Sequence, residues 1–273
     1  MQQKLSIITI NYNNALGLQK TIESVVNQSF TDFEFVIVDG GSSDESCEII
    51  KQYESKITKW ISEKDNGIYN ALNKGIQLAS GEYLLFLNSG DILYNNEVLK
   101  NNFNHLDGTA IISFDIQVKG QGIDQINQHP DEIHFSFLFD QTLAHQSTVI
   151  QKKLFDQIGW YDEALKIVSD WKFFIEAITY HQASYKAVHN VLAVYFLDGI
   201  SSSSEGSFLR KKERDEVLKK EFKLFYSDYM KSKEMNQIFE LNRYKMLTKL
   251  ENTNAGRKTA SLILSILTKF MGK

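Results

Sequence analysis

Carboxylates that follow buried strands are the residues of this chain best placed to do chemistry. Asp39 ends the apolar run Val36-Ile37-Val38 and opens the turn Gly40-Gly41-Ser42-Ser43-Asp44. The two glycines permit a tight backbone, and Ser42, Ser43 or Asp44 can cap a following helix. A carboxylate in such a place loses hydration unless a donor holds it. The imide N–H of a nucleobase is one such donor; a plain strand–turn–helix connection is the other reading of the pattern. Asp91 closes Asn88-Ser89-Gly90-Asp91 directly after the run Tyr83-Leu84-Leu85-Phe86-Leu87. There a carboxylate can hold Mg²⁺ or Mn²⁺, which neutralises a departing diphosphate. A Ser-Gly-Asp turn alone need only be a turn, but its place after a buried strand adds weight to the ligand reading.

The elements that must position these groups alternate. Residues 5–10, 33–38, 59–62 and 83–87 read as strands, and 16–27, 43–53 and 68–79 as helices. That order and spacing mean βαβ units and a mostly parallel sheet. Such a sheet binds its ligand at the carboxyl ends of the strands. Polar clusters stand at each such end: Asn11-Tyr12-Asn13-Asn14, Asp39-Gly40-Gly41-Ser42, Glu63-Lys64-Asp65-Asn66-Gly67 and Asn88-Ser89-Gly90-Asp91. Farther on, strands are predicted at 110–116 and 185–196 and helices at 152–158 and 169–180. Ser201-Ser202-Ser203-Ser204 with Gly206 marks a flexible connection, after which 208–229, 232–251 and 257–270 read as helices. The chain therefore divides into residues 1–204 and a helical C-terminal extension, residues 205–273.

Taken together, residues 6–13, 36–44, 63–75 and 85–91 resemble the family 2 glycosyltransferases of the GT-A fold, a Rossmann-like, mostly parallel mixed sheet flanked by helices. His145-Gln146-Ser147, the segment 155–163 and Ser169-Asp170-Trp171 extend the likeness over about residues 4–200. No single motif is specific; their order and spacing are. The resemblance implies an inverting, metal-assisted transfer of a sugar from a nucleoside diphosphate to an acceptor hydroxyl, with UDP first and GDP or dTDP behind it. It puts Thr9, Tyr12, Asp39 and Asp65 in the nucleotide pocket, with Asn73 and Lys74 beside them. It makes Asp91 the metal contact and places His145 near donor sugar or acceptor. Asn88 and Gly90 stand where many relatives carry aspartates, so only Asp91 supplies charge.

Asp170 matches the family's catalytic aspartate. An inverting transfer needs a carboxylate on the acceptor side to take the hydroxyl proton. Asp170 lies at a predicted helix start, where it or Ser169 would equally serve as N-cap, and Trp171 offers an apolar wall for a sugar ring. Asp162 and Glu163 are the next candidates. Lys64 and Lys74 could meet phosphate or simply be solvated.

Composition bounds the rest. The single cysteine, Cys47, cannot form an internal disulfide. The first apolar run is too short for a signal-peptide core, and no apolar run approaches a membrane span, so a cytoplasmic protein is expected. Residues 1–204 carry 14 basic and 25 acidic side chains, a net of −11, which argues against nucleic acid as a partner. Residues 205–273 carry 16 and 9, a net of +7. In the last predicted helix, Leu262, Ile263, Leu264, Ile266, Leu267, Phe270 and Met271 share one arc, opposite Arg257, Lys258 and Lys269. Such a helix docks on its own body, on a second copy in a homodimer, or on an anionic membrane surface where a lipid-linked or glycan acceptor lies. A Rossmann dehydrogenase lacks its Gly-x-Gly-x-x-Gly here, and a sugar-1-phosphate nucleotidyltransferase its Gly-rich phosphate loop. A non-catalytic carbohydrate- or nucleotide-binding protein with a decayed site remains the alternative from another class.

Overall fold

A computed structural model describes residues 4–197 and 204–271. Apolar runs with no polar alternation must be covered on both faces, and the first strands are. The order is β1 (Leu5–Asn11), α1 (Ala15–Val26), β2 (Glu34–Asp39), α2 (Ser46–Gln52), β3 (Lys59–Ser62), α3 (Ile68–Leu78) and β4 (Tyr83–Phe86). β1, β2 and β4 are buried along their whole length. Ile7 and Leu85 pack on one face with Leu18, Ile22 and Val25 of α1. Ile8, Val36 and Phe86 pack on the other with Leu72 and Ile76 of α3. A side chain at Gly75 would put its Cβ 2.4 Å from Ile8 Cγ2, so α3 rests directly on β1 because that residue is glycine.

The chain continues with β5 (Ile92–Leu93), α4 (Val98–Asn102), β6 (Ile111–Gly120), β7 (Ile123–Asn127), α5 (Phe135–Asp140), β8 (Thr148–Gln151), α6 (Lys153–Ile158), α7 (Ser169–Thr179) and β9 (Tyr185–Phe196). The sheet runs β3-β2-β1-β4-β8-β6-β9-β5, with β7 paired to β6. It is parallel from β3 to β4, β8 runs antiparallel to both neighbours, and β9 returns parallel to β6. β8 was not foreseen. Its four residues between a short turn and a helix carry no periodic signal, and only the gap between β4 and β6 makes them a strand.

One charge is buried in this frame at the start of β2. Glu34 is 2% exposed and accepts from Ser6 Oγ (2.5 Å), Ser80 N (2.6 Å) and Ser80 Oγ (3.0 Å), with Lys59 Nζ at 2.9 Å. Every lone pair has a donor, which is what makes a buried carboxylate tolerable.

Four helices follow: α8 (Ser204–Glu221), α9 (Lys223–Glu240), α10 (Asn242–Glu251) and α11 (Asn254–Met271). Breaks at Phe222, Leu241 and 252–253 replace the three longer segments expected; no Gly or Pro marks the first two in the sequence. The chain forms two compact units, Met1–Asp215 and Glu216–Lys273, so the first two thirds of α8, with Arg210, Glu213 and Arg214, belong to the first unit. In the second unit α11 exposes Leu262, Ile263, Ile266 and Phe270, the last at 82%. Among the described residues no helix is long and apolar enough to cross a membrane.

Candidate active site

The strand-end clusters converge because the first four strands run parallel and finish at one edge. Asn11 Nδ2, at the end of β1, donates to Asp39 Oδ1 (2.9 Å), and Ser89 N donates to Ile10 O (3.0 Å). Thr21 of α1 pins the turn after β4: its hydroxyl donates to Asp91 O (2.7 Å) and accepts from Gly90 N (2.9 Å). Gly90 has φ +105°, a conformation open to glycine and costly for other residues. The turns border a cleft of about 1170 Å³ within the first unit.

Tyr12, Asp65, Asp91, His145 and Asp170 line this cleft, with Trp171 at its border. Tyr12 is 65% exposed. Asp65 stands against Gly40, where a Cβ would fall 2.3 Å from Asp65 Oδ2 and 3.2 Å from the Tyr12 ring. Glycine at 40 therefore lets the carboxylate and the ring come together.

The other expected nucleotide residues lie elsewhere. Asp39 is fully buried and saturated: Oδ1 accepts from Asn11 and from Ser42 Oγ (2.6 Å), and Oδ2 from Ser62 Oγ (2.7 Å) and the backbone of Gly41 (3.2 Å) and Ser42 (2.9 Å). It orders the turn, and no oxygen is left to accept from a base. Burial pushes its pKa up, but these hydrogen bonds outweigh burial and hold it below its ordinary value. Thr9 is buried and donates to Leu87 O (2.8 Å). Asn73 is buried and clasps Tyr161, donating to its carbonyl (2.9 Å) and accepting from its N–H (3.1 Å). Lys74 pairs with Glu63 (2.8 Å). The fallback acids are also engaged: Glu163 accepts from Asn70 and Asn73, each at 2.9 Å, and Asp162 pairs with Lys172 (3.0 Å).

Asp170 is not the N-cap of α7. That position is Val168, and the helix has no side-chain cap. Instead the carboxylate is held from two other elements: Oδ1 accepts from Tyr69 OH of α3 (2.9 Å), and Oδ2 faces His145 Nδ1 (3.2 Å). His145 Nε2 lies 3.2 Å from Asn88 Nδ2. With Asn88 donating there, the neutral ring carries its proton on Nδ1 and donates it to Asp170. The preceding residue is fixed too: Ala144 N donates to His129 Nε2 (3.0 Å), and His129 Nδ1 bonds Phe114 O (2.9 Å). Burial would raise the Asp170 pKa, yet the hydrogen bond and charge of His145 and the Tyr69 hydroxyl hold it below its ordinary value. For His145, burial pulls down and is outweighed by Asp170, so its pKa is raised. Burial, then the charge of Asp170, pushes the Tyr69 phenol well above its usual range. The base candidate is thus an ionised carboxylate with a relay back to the Asn88–Asp91 turn.

Trp171, expected as an apolar wall for a sugar ring, borders the cleft but is largely covered. It is 1% exposed, its indole N–H donates to Leu138 O (2.6 Å), and the Arg214 guanidinium lies 5.0 Å over its ring. Sequence reasoning missed Tyr69, Arg210 and Arg214. The arginines fell in the segment read as a separate extension, and only the fold brings them to the cleft.

A profile of Glycosyl transferase family 2 matches residues 6–160, more than half of the chain. The chain belongs to this family. An uncharacterised glycosyltransferase of Mycobacterium tuberculosis is 32% identical over 74% of this chain and 79% of its own length. The PGL/p-HBAD biosynthesis glycosyltransferase of Mycobacterium bovis is 28% identical over 70% and 75%. Among solved structures, Staphylococcus aureus TarS in complex with UDP-GlcNAc matches with a TM-score of 0.63 and 21% identity over 88% of this chain and 74% of that one. The mannosyltransferase PcManGT of Pyrobaculum calidifontis, in complex with GDP-Man and Mn²⁺, matches at 0.55 and 15% over 71% and 57%. These likenesses show the GT-A type of fold, and the family makes this glycosyltransferase an enzyme of sugar transfer.

Proposed function

We propose that this family 2 glycosyltransferase inverts the anomeric centre of a UDP-sugar as it moves the sugar to an acceptor hydroxyl, with Asp170 as general base. The observation that carries this reading is the Tyr69–Asp170–His145–Asn88 chain of contacts, which holds an ionised carboxylate in the cleft and links it through His145 to the Asn88–Asp91 turn. The donor's diphosphate leaves on the side of that turn. Asp170 accepts the hydroxyl proton on the opposite side as the anomeric carbon becomes oxocarbenium-like. Tyr69 and His145 keep the carboxylate aimed and ionised. Tyr12 offers a ring face to the base, and Asp65 the carboxylate that accepts its imide N–H, the role Asp39 is too fully bonded to play. UDP as nucleotide is supported by the complexes of TarS with UDP and UDP-GlcNAc, with GDP, the nucleotide of PcManGT's donor, as the alternative.

The residues near the turn fit a divalent cation that shares its ligands with the substrate. Asp91 brings one carboxylate, and Asn88 Oδ1 is a buried oxygen with no hydrogen-bond partner. Among the described residues no group of three or more His, Cys, Asp or Glu is placed to hold an ion unaided. Mg²⁺ or Mn²⁺ would be held by Asp91 and Asn88 together with diphosphate oxygens, and when bound it offsets charge on the leaving group.

The mycobacterial relative named for PGL/p-HBAD biosynthesis supports an acceptor in cell-surface or lipid-linked glycan synthesis. The exposed apolar arc of α11, beside Arg257, Lys258 and Lys269, supports peripheral contact with an anionic membrane face, on the cytoplasmic side. Incubation with a panel of sugar nucleotides tests the core reading: UDP release from a UDP-sugar, dependent on acceptor and collapsing in Asp170→Asn, is expected. Binding of UDP-sugars without turnover under any condition would instead favour a decayed, non-catalytic member.

A further inference from the structure

The cleft carries positive charge that the transfer chemistry above does not use. Arg210 and Arg214 lie one turn apart on α8, and both line the cleft, as does Lys166. Their position is built. Glu213, between them and only 7% exposed, receives the backbone N–H groups of Lys166 (2.9 Å) and Ile167 (3.0 Å), and so fastens α8 to the segment entering α7. Arg214 stacks over Trp171 and donates one N–H to Asp140 O (3.1 Å), while its buried Nε has no partner. Among the described residues none of the three cations pairs with a carboxylate. Residues 1–204 carry a net charge of −11, and Arg210 and Arg214 bring cations from outside that segment to its cleft.

The side of the cleft matters. Arg214 stacks on Trp171, the residue next to Asp170, and lines the same cleft, so it sits on the side of the base; burial draws its pKa down to about 10 against the favourable charges of Asp170 and Asp140, and the guanidinium stays charged. The diphosphate belongs with the Asn88–Asp91 turn. On the Asp170 side the entering molecule is the acceptor, and a planar guanidinium fork matches the oxyanions of phosphate and carboxylate.

We infer that Arg210 and Arg214, with Lys166 at the rim, form a subsite for an anionic acceptor, a glycan or lipid-linked sugar that carries a phosphate or carboxylate next to the hydroxyl being glycosylated. The inference rests on the reading of Asp170 as the acceptor-side base. The subsite gives the enzyme a reason to reject neutral sugars, whose entry would leave the guanidinium groups desolvated and unpaired.

Titration calorimetry of the full-length protein, with and without saturating UDP, tests it. The probes are methyl glucoside, methyl glucoside 6-phosphate, methyl glucuronide and, for a lipid-linked phosphate, monomeric dodecyl phosphate. An anionic probe should bind at least about tenfold tighter than methyl glucoside, the scale of one charge-assisted hydrogen bond, and with UDP present. Among the described residues Arg210 has no hydrogen-bond partner, so Arg210→Gln should bring the anionic-to-neutral ratio close to one, and Arg210→Lys should restore part of it. The probe with the largest ratio names the source of the anion. Equal binding of charged and neutral probes, or a ratio indifferent to Arg210→Gln, overturns the subsite. Anion binding that UDP abolishes also overturns it, because the arginines would then serve the donor's diphosphate. Absence of UDP binding and of sugar-nucleotide turnover would count against the UDP-transferase reading alone, since the probes are also read without UDP.

Discussion

Asp170→Asn separates basicity from architecture, and the geometry says how cleanly. Asn is isosteric with Asp, so its Oδ1 can turn to accept from His145 Nδ1–H while its Nδ2 donates to the Tyr69 hydroxyl, which can accept. His145 then keeps its contact with Asn88 at the other nitrogen. What disappears is the negative charge. Two charge-assisted hydrogen bonds become neutral ones, and a charge no longer has to be buried, so these effects oppose each other and leave a stability change within about 1 kcal/mol. Catalysis has no such compensation. Without a base the hydroxyl proton has no acceptor on the attacking side, and kcat should fall roughly a hundredfold or more, at least about 2.7 kcal/mol of barrier. The assay pairs acceptor-dependent UDP release with UDP affinity and a thermal melt on the same preparation. Wild-type turnover in the variant would reduce Asp170 to a structural acceptor for Tyr69 and His145. A melt lowered in step with the rate would show that the carboxylate holds the fold and that the rate says nothing about proton transfer.

Other perturbations distinguish neighbouring roles. Asp65→Ala should weaken UDP binding by about 1–3 kcal/mol with an unchanged melt, whereas Asp39→Ala should destabilise the fold by about 3 kcal/mol or more, because it removes the carboxylate that accepts five hydrogen bonds in the turn; calorimetry that finds the reverse pattern exchanges the two assignments. Glu34 and Asp39 both titrate below their ordinary values of 4.5 and 3.8, for despite the pull of burial their hydrogen bonds favour the ionised form. Their stabilisation is therefore complete above those values and is lost as pH falls through the lowered ones, so the melting temperature should hold down to about pH 5 and drop below it, and Glu34→Gln should flatten part of the drop. Asp91→Asn should cut turnover far more than stability, and Mn²⁺ should bind tightly only when UDP is present; activity indifferent to both EDTA and the substitution would remove the metal from the reaction. Deletion of residues 256–273 should reduce co-sedimentation with phosphatidylglycerol vesicles, and an unchanged pellet would return α11 to a protein contact.

The local sequence carried the family, the strand-end turns and the three carboxylates that line the cleft, Asp65, Asp91 and Asp170. Strands β1, β2 and β4 were legible because residues buried on both faces leave continuous apolar runs, and parallel strands bring their polar ends to one edge whatever else the chain does. Which polar side chain at that edge remains available was not legible. Asp39 and Asp65 are both acids after strands, but a hydrogen-bond inventory distinguishes them, and it depends on Ser42, Ser62 and Asn11 arriving from separate elements. Trp171 follows Asp170 in the chain and borders the same cleft, yet it is almost wholly covered, its indole N–H bonded to Leu138 O and its ring under Arg214, partners that only the packing of α7 brings to it. Tyr69, His145 and Asp170 are separated by 76 and 25 residues, and nothing local connects them. Arg210 and Arg214 look like part of a basic tail until Glu213 anchors their helix. Sequence alone determined what each segment can form and which residue types stand at its ends. Only tertiary structure decided which of those side chains are already satisfied and which still have a partner to find, because that balance is struck between residues far apart in the chain.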